Sequence, residues 1–102
     1  MDALVRIKRA ILAGRYAFSE KARSEMQADG LTELAVAESI VNAVAIYKRL
    51  RSRSSQRTAR REYLYVIHGT TLDGLIIYSK GKLIRENGEE VYYFLVSSKR
   101  AI

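Results

Sequence analysis

Apolar residues in the first part of the chain recur at helical spacing. In "DALVRIKRAILAGR", Leu4, Ile7, Ile11 and Leu12 share a face, Asp2 stands where a helix cap accepts backbone N–H groups, and Gly14 suits the left-handed turn that ends a helix. The spacing therefore predicts a first amphipathic helix with Arg6, Lys8 and Arg9 outside. "YAF" reads as a brief extended link. Ser19 then caps "EKARSEMQAD", which Gly30 closes and whose buried face carries Ala22 and Met26. Thr32 caps a third helix, "ELAVAESIVNAV", with Val36, Ile40 and Val44 along one face and Ala37 and Val41 beside them.

From Glu62 the period changes to two and the residues become β-branched and aromatic: "EYLYVIHG", "GLIIYSK", "KLIRE" and "EEVYYFLVSS". Asp73-Gly74 and Asn87-Gly88 are two-residue hairpin signals, so strands adjacent in sequence are expected to pair antiparallel. "VYYFLV", apolar on both faces, reads as a central strand. Gly69, Gly74, Gly81 and Gly88 are read as strand-end turn residues. The pattern predicts an α+β domain spanning residues 1–102, with three N-terminal helices packed on a C-terminal antiparallel sheet.

Charge adds one feature that periodicity does not contain. The chain has 18 Lys and Arg against 11 Asp and Glu. Seven of those bases lie between Lys48 and Arg61 with no acid among them, so removing them leaves 11 bases facing 11 acids. An excess so localised suits a partner with repeated negative charge, and a phosphodiester backbone is the commonest one. Cysteine is absent, which excludes thiolate chemistry and disulfides. No signal peptide or long apolar run is evident, so the chain reads as a soluble cytoplasmic protein without a membrane partner. The acids show no paired spacing of the kind used by glycosidases or two-metal nucleases, and the glycines form no phosphate-cradling pattern. Neither metal nor nucleotide cofactor is implied.

The chain's one histidine, His68, stands at the end of an expected strand, where a structural role is commoner than a catalytic one. Seven tyrosines exceed what a small core needs: Tyr63 and Tyr65 share one strand face, Tyr92 and Tyr93 point oppositely, and Tyr78 lies two residues before Lys80. Most such rings are core or half-core, but a tyrosine on an open sheet face beside Lys or Arg stacks a splayed base, as single-stranded RNA is held. Such a site also has the means to cleave RNA. Attack of the 2′-OH on its own phosphate needs a proton acceptor, cations to stabilise the phosphorane and a donor for the leaving 5′-oxygen. Lys, Arg and Tyr supply all three.

"VRIKRAILAGRYAFSEKARSEMQADGLTELAVAESIVNAVAIYKRLRSRS", followed by "EYLYVIHG" and "DGLIIYSK", resembles the MqsR-like ribonuclease toxins of bacterial toxin–antitoxin pairs. It is more similar to a related group of uncharacterised small proteins, akin also to BrnT-type toxins, often encoded beside zinc-finger antitoxins. The resemblance implies a RelE-like fold, metal-independent endoribonuclease activity on mRNA, and neutralisation by a cognate antitoxin. It carries catalytic lysines onto Lys48 ("YK") and Lys80 ("IIYSK"), a tyrosine onto Tyr63 ("EYL") and, more loosely, a loop glutamine onto Gln56. Lys99, in "VSSKR", is an alternative for the terminal lysine, because this chain continues beyond Lys80; it also has Lys21-Ala22 where related groups have His-Ala.

The expected roles are phosphate stabilisation by Lys48 and Lys80, proton movement by Tyr63, and RNA contacts from Arg51, Arg53, Gln56, Arg57, Arg60, Arg61, Tyr78 and Lys99. Two other readings share the same charge pattern: a nucleic-acid-binding module without catalysis, and an interaction protein whose basic segment docks an acidic partner.

Overall fold

The computed structural model describes residues 2–51 and 62–102. Three helices, α1 (Ala3–Leu12), α2 (Glu20–Asp29) and α3 (Glu33–Asn42), are each started by the expected cap: Asp2, Ser19 and Thr32 accept from the backbone N–H of Val5, Ala22 and Ala35. Gly30, with φ +69°, ends α2 in the left-handed conformation. The third helix stops short of its apolar pattern. Its end is held from outside, where Lys8 donates to the Ala43 carbonyl at 2.6 Å and Asn42 to the Thr70 carbonyl at 2.9 Å. Val44, expected on the buried face, lies beyond that end and is almost fully exposed. Leu12 is likewise exposed, turned away from Ile7 and Ile11.

The described strands are β1 (Tyr16–Phe18), β2 (Lys48–Arg51), β3 (Tyr63–Thr70), β4 (Ile76–Glu86) and β5 (Glu89–Arg100), in one sheet of order β1-β5-β4-β3-β2. From β2 to β5 the sheet is the expected antiparallel meander. The supposed link "YAF" is instead β1, parallel to β5, so the sheet is mixed and β5 is central. Its placement follows from backbone bonds at both ends: Tyr93 N–H to the Arg15 carbonyl and Ser19 N–H to the Leu95 carbonyl.

The two hairpins differ. Asn87 (φ +53°) and Gly88 (φ +83°) form the two-residue turn their sequence demands, with Glu86 facing Glu89. Asp73-Gly74 instead sits inside a five-residue connection, since Thr70 pairs with Ile76. Thr71 takes over the closure: its N–H reaches the Leu75 carbonyl, its carbonyl accepts from Gly74, and its hydroxyl bonds the Leu75 N–H and the Asp73 carboxylate.

All three helices cover one face of the sheet. Ile7 and Ile11 from α1, Ala22 and Met26 from α2, and Val36 and Ile40 from α3 form a single cluster with Tyr65, Ile67, Ile77, Tyr93 and Leu95. Two glycines set how closely the layers approach, and neither is a strand-end turn residue. A Cβ on Gly69 would lie 1.8 Å from the Ser39 carbonyl oxygen of α3, and one on Gly81 would lie 2.6 Å from the Tyr93 ring. Among the described residues no helix is long and apolar enough to cross a membrane.

Candidate nucleic-acid interface on the open sheet face

Side chains alternate between faces along a strand, and residues directly opposite each other on paired strands share a face. Tyr65, Ile67, Ile77 and Tyr93 belong to the helix side. Their neighbours Val66, His68 and Tyr78 therefore point the other way, onto a face that no described helix covers. Val66 illustrates the division: it is buried, yet it is not part of the helix-side cluster.

Two cross-strand rows occupy this open face. In the first, Lys48, Val66 and Lys80 stand opposite one another on β2, β3 and β4. The lysine stems flank a small apolar floor, and each leaves an ammonium group free to reach outward. In the second row His68 faces Tyr78, which faces Lys99. The His68 ring stacks on Tyr47 at 4.2 Å between centroids and 16° between planes. Tyr78 lies 5.7 Å away at 49°, and the Lys99 ammonium sits 5.3 Å from the centre of the Tyr78 ring. The result is a continuous aromatic and cationic strip beside a pair of lysines. Among the described residues, ion pairs engage Lys82 with Glu62 on this side, whereas Lys48, Lys80 and Lys99 have no carboxylate within salt-bridge distance.

The expected site residues divide between the two faces. Lys48, Lys80, Tyr78 and Lys99 come together on the open face. Tyr63 and Arg51 do not join them: they pair across β2 and β3 on the helix-side parity, where Tyr63 is half-buried, packs against the core and lies under the Arg49 guanidinium at 4.5 Å. Arg53, Gln56, Arg57, Arg60 and Arg61 lie outside the described residues. Tyr47 and His68 are the additions. His68 carries the chemistry of a proton carrier, and Tyr47, exposed and stacked upon it, extends the strip to the sheet edge. The sequence signal for both was alternation combined with the correct strand register.

Behind β5, the Glu25 carboxylate of α2 fixes the strand near an irregularity in its pairing with β4. It accepts from the Ser97 hydroxyl at 2.7 Å and the Ser98 N–H at 3.1 Å, with Lys21 at 3.7 Å. Burial pulls its pKa up, but the Ser97 and Ser98 hydrogen bonds and the Lys21 and Lys99 charges outweigh this and hold it below the ordinary carboxylate value. On the helix side, burial pushes the Tyr93 phenol far above its ordinary value, with Tyr65 adding to the effect. Among the described residues no three His, Cys, Asp or Glu side chains gather as metal ligands. No family model, curated protein or solved structure matches the chain.

Proposed function

We propose that the open face of the sheet binds single-stranded RNA and cleaves it without a metal cofactor. The observation that carries this reading is the juxtaposition of the Lys48–Val66–Lys80 row with the Tyr47–His68–Tyr78–Lys99 strip on a face that no described helix covers. Aromatic rings stack bases irrespective of sequence, while adjacent ammonium groups take the phosphates. The sequence between β2 and β3 also carries Arg53, Arg57, Arg60 and Arg61, which lie outside the described residues.

In the proposed reaction the neutral imidazole of His68 accepts the 2′-OH proton as O2′ bonds to phosphorus. Lys48 and Lys80 stabilise the phosphorane, the P–O5′ bond breaks, and a lysine ammonium returns a proton to the leaving oxygen. The products are a 2′,3′-cyclic phosphate and a 5′-hydroxyl. His68 thus takes the role that sequence resemblance gave to Tyr63, whose helix-side position also favours the alternative reading, RNA binding without cleavage.

The resemblance to MqsR-like and BrnT-like toxins supports a RelE-like toxin acting on mRNA in the cytoplasm, held in check by an acidic antitoxin, with a zinc finger among its possible modules, that competes for the same cations. Incubation of single-stranded RNA with the protein in EDTA tests the chemistry. Cleavage with cyclic-phosphate ends is expected, slowed about 10²-fold or more by His68→Ala, as loss of a general base does. Binding without cleavage by the wild-type protein would select the non-catalytic alternative. Growth arrest on solitary expression, relieved by the product of the neighbouring gene, tests the toxin assignment.

A further inference from the structure

Outside the Lys48–Arg61 segment the chain's acids and bases balance in number, but the fold does not distribute them evenly. Arg6, Arg9 and Arg15 line one cavity of about 200 Å³ with Ala10, Leu83, Tyr92 and a single acid, Glu90. The cavity lies between α1 and the β4–β5 hairpin, toward the sheet edge opposite β2. Its frame is fixed. The Arg6 guanidinium donates to the Glu90 carboxylate at 2.6 Å, and Arg15 is held through its backbone by the Ala10 carbonyl at 2.8 Å and the Tyr93 N–H at 3.0 Å.

Glu90 does not neutralise this cluster. Its Oε2 is shared by Arg6 and, at 3.3 Å, Arg85, and among the described residues neither Arg9 nor Arg15 has a carboxylate within salt-bridge distance. Two guanidinium groups are therefore left to face the cavity's contents. Guanidinium forks match the oxygens of phosphate and carboxylate. A phosphate monoester carries about −1.5 to −2 at pH 7, which balances two such charges where one carboxylate would not. The volume is below the roughly 300–1,000 Å³ of clefts that take drug-sized ligands, so the ligand is a phosphate bearing a small organic group, which the Tyr92 ring and the Leu83 and Ala10 side chains would contact.

We propose that this cavity is a second anion site, separate from the open face, that binds a phosphate monoester through Arg9 and Arg15 with Arg6 as the fixed third donor. Its ligand is either the 5′-phosphate of a nucleic-acid strand or a small phosphorylated metabolite. The proposal does not depend on RNA cleavage.

Calorimetric titration with inorganic phosphate, adenosine 5′-monophosphate, and one single-stranded oligonucleotide in 5′-phosphorylated and 5′-hydroxyl forms tests it. Inorganic phosphate and the mononucleotide are expected to bind the wild-type protein and Lys48→Gln alike. Both should bind at least about tenfold more weakly to the Arg9→Gln/Arg15→Gln double variant, the loss expected of two charge-assisted hydrogen-bonding partners. Because Arg9, in the last turn of α1, and Arg15, just before β1, are both exposed, the variant should keep its melting temperature. A gain in affinity from the 5′-phosphate that the double variant abolishes identifies a strand end as the ligand. Mononucleotide binding without that gain identifies a free metabolite. Absence of saturable phosphate and mononucleotide binding at millimolar concentration, or binding that the double variant leaves unchanged, would overturn the proposal.

Discussion

The two faces of the sheet are built from alternate residues of the same strands, yet they obey different rules. On the helix side Ile67, Ile77, Tyr93 and Leu95 are wholly buried, and glycine is required where α3 and the Tyr93 ring approach the strands. On the open side the same strands place His68, Tyr78, Lys80 and Lys99, whose polar ends need water or a partner. One face spends its side chains on close packing, the other on chemistry that packing would suppress. Substitutions should therefore affect stability on one side and binding on the other.

The sharpest break on the helix side is Gly69→Ala. Its Cβ meets the Ser39 carbonyl oxygen, a backbone atom that cannot swing aside, so the strand or α3 must move. Chemical denaturation should show a loss of about 3 kcal/mol or more, at or above the upper range for overpacked cores. A loss below about 1 kcal/mol would mean that the two layers are not held at this spacing.

A milder probe is Tyr93→Phe. The phenol is fully buried and donates a long hydrogen bond, 3.5 Å, to the Tyr65 carbonyl, so its removal should cost about 1 kcal/mol. It also carries a pH signature. The folded-state pKa of Tyr93 is raised, whereas the unfolded chain's tyrosines ionise near about 10. Stability is then present below about pH 10 and lost as pH rises, because the unfolded state releases the proton first. The Phe variant should show a shallower alkaline loss, measured by melting temperature between pH 9 and pH 11, a range set by that unfolded value of about 10. The open-face counterpart, Tyr78→Phe, should leave stability near neutral pH nearly unchanged.

Smaller still, and on the acid side, is Glu25. Its folded-state pKa is lowered, so its contribution is present above the unfolded value of about 4.3 and lost as pH falls through the folded one. Glu25→Gln should cost about 1 kcal/mol or less near neutrality and flatten the acid branch of the stability profile. An acid branch identical to wild type would show that the Ser97 and Ser98 contacts do not favour the ionised form.

How far the sequence revealed this division depends on register. Helix caps at Asp2, Ser19 and Thr32, and the Asn87-Gly88 hairpin, were legible because each is decided within a few residues. The composition of the open face depended on the β3–β4 connection. A two-residue Asp73-Gly74 loop would set His68 opposite Ser79 and send Tyr78 and Lys80 to the helix side, since a one-residue slip reverses every side chain of a strand. The five-residue connection closed by Thr71 sets His68 opposite Tyr78 instead. The parity that separates Tyr63 from Lys48 follows from the β2–β3 pairing, a long-range fact no local motif contains. Likewise, Arg6, Arg9 and Arg15 meet Tyr92 only because α1 returns to the β4–β5 hairpin, so counting charges along the chain could not show them together.

RNA binding at the open face of the sheet is the proposal on which the functional reading depends. It is tested most directly by the salt dependence of single-stranded RNA affinity, compared among the wild-type protein, Lys48→Gln/Lys80→Gln, and Arg23→Gln, a surface charge on α2 paired with Glu33. The open-face double variant should keep the wild-type melting temperature and lose about 1.4 from the slope of log affinity against log salt, about 0.7 for each single-strand phosphate contact removed. Arg23→Gln should leave that slope unchanged. A double variant with the wild-type slope, or a larger loss from Arg23→Gln, would contradict the account and place RNA binding elsewhere on the molecule.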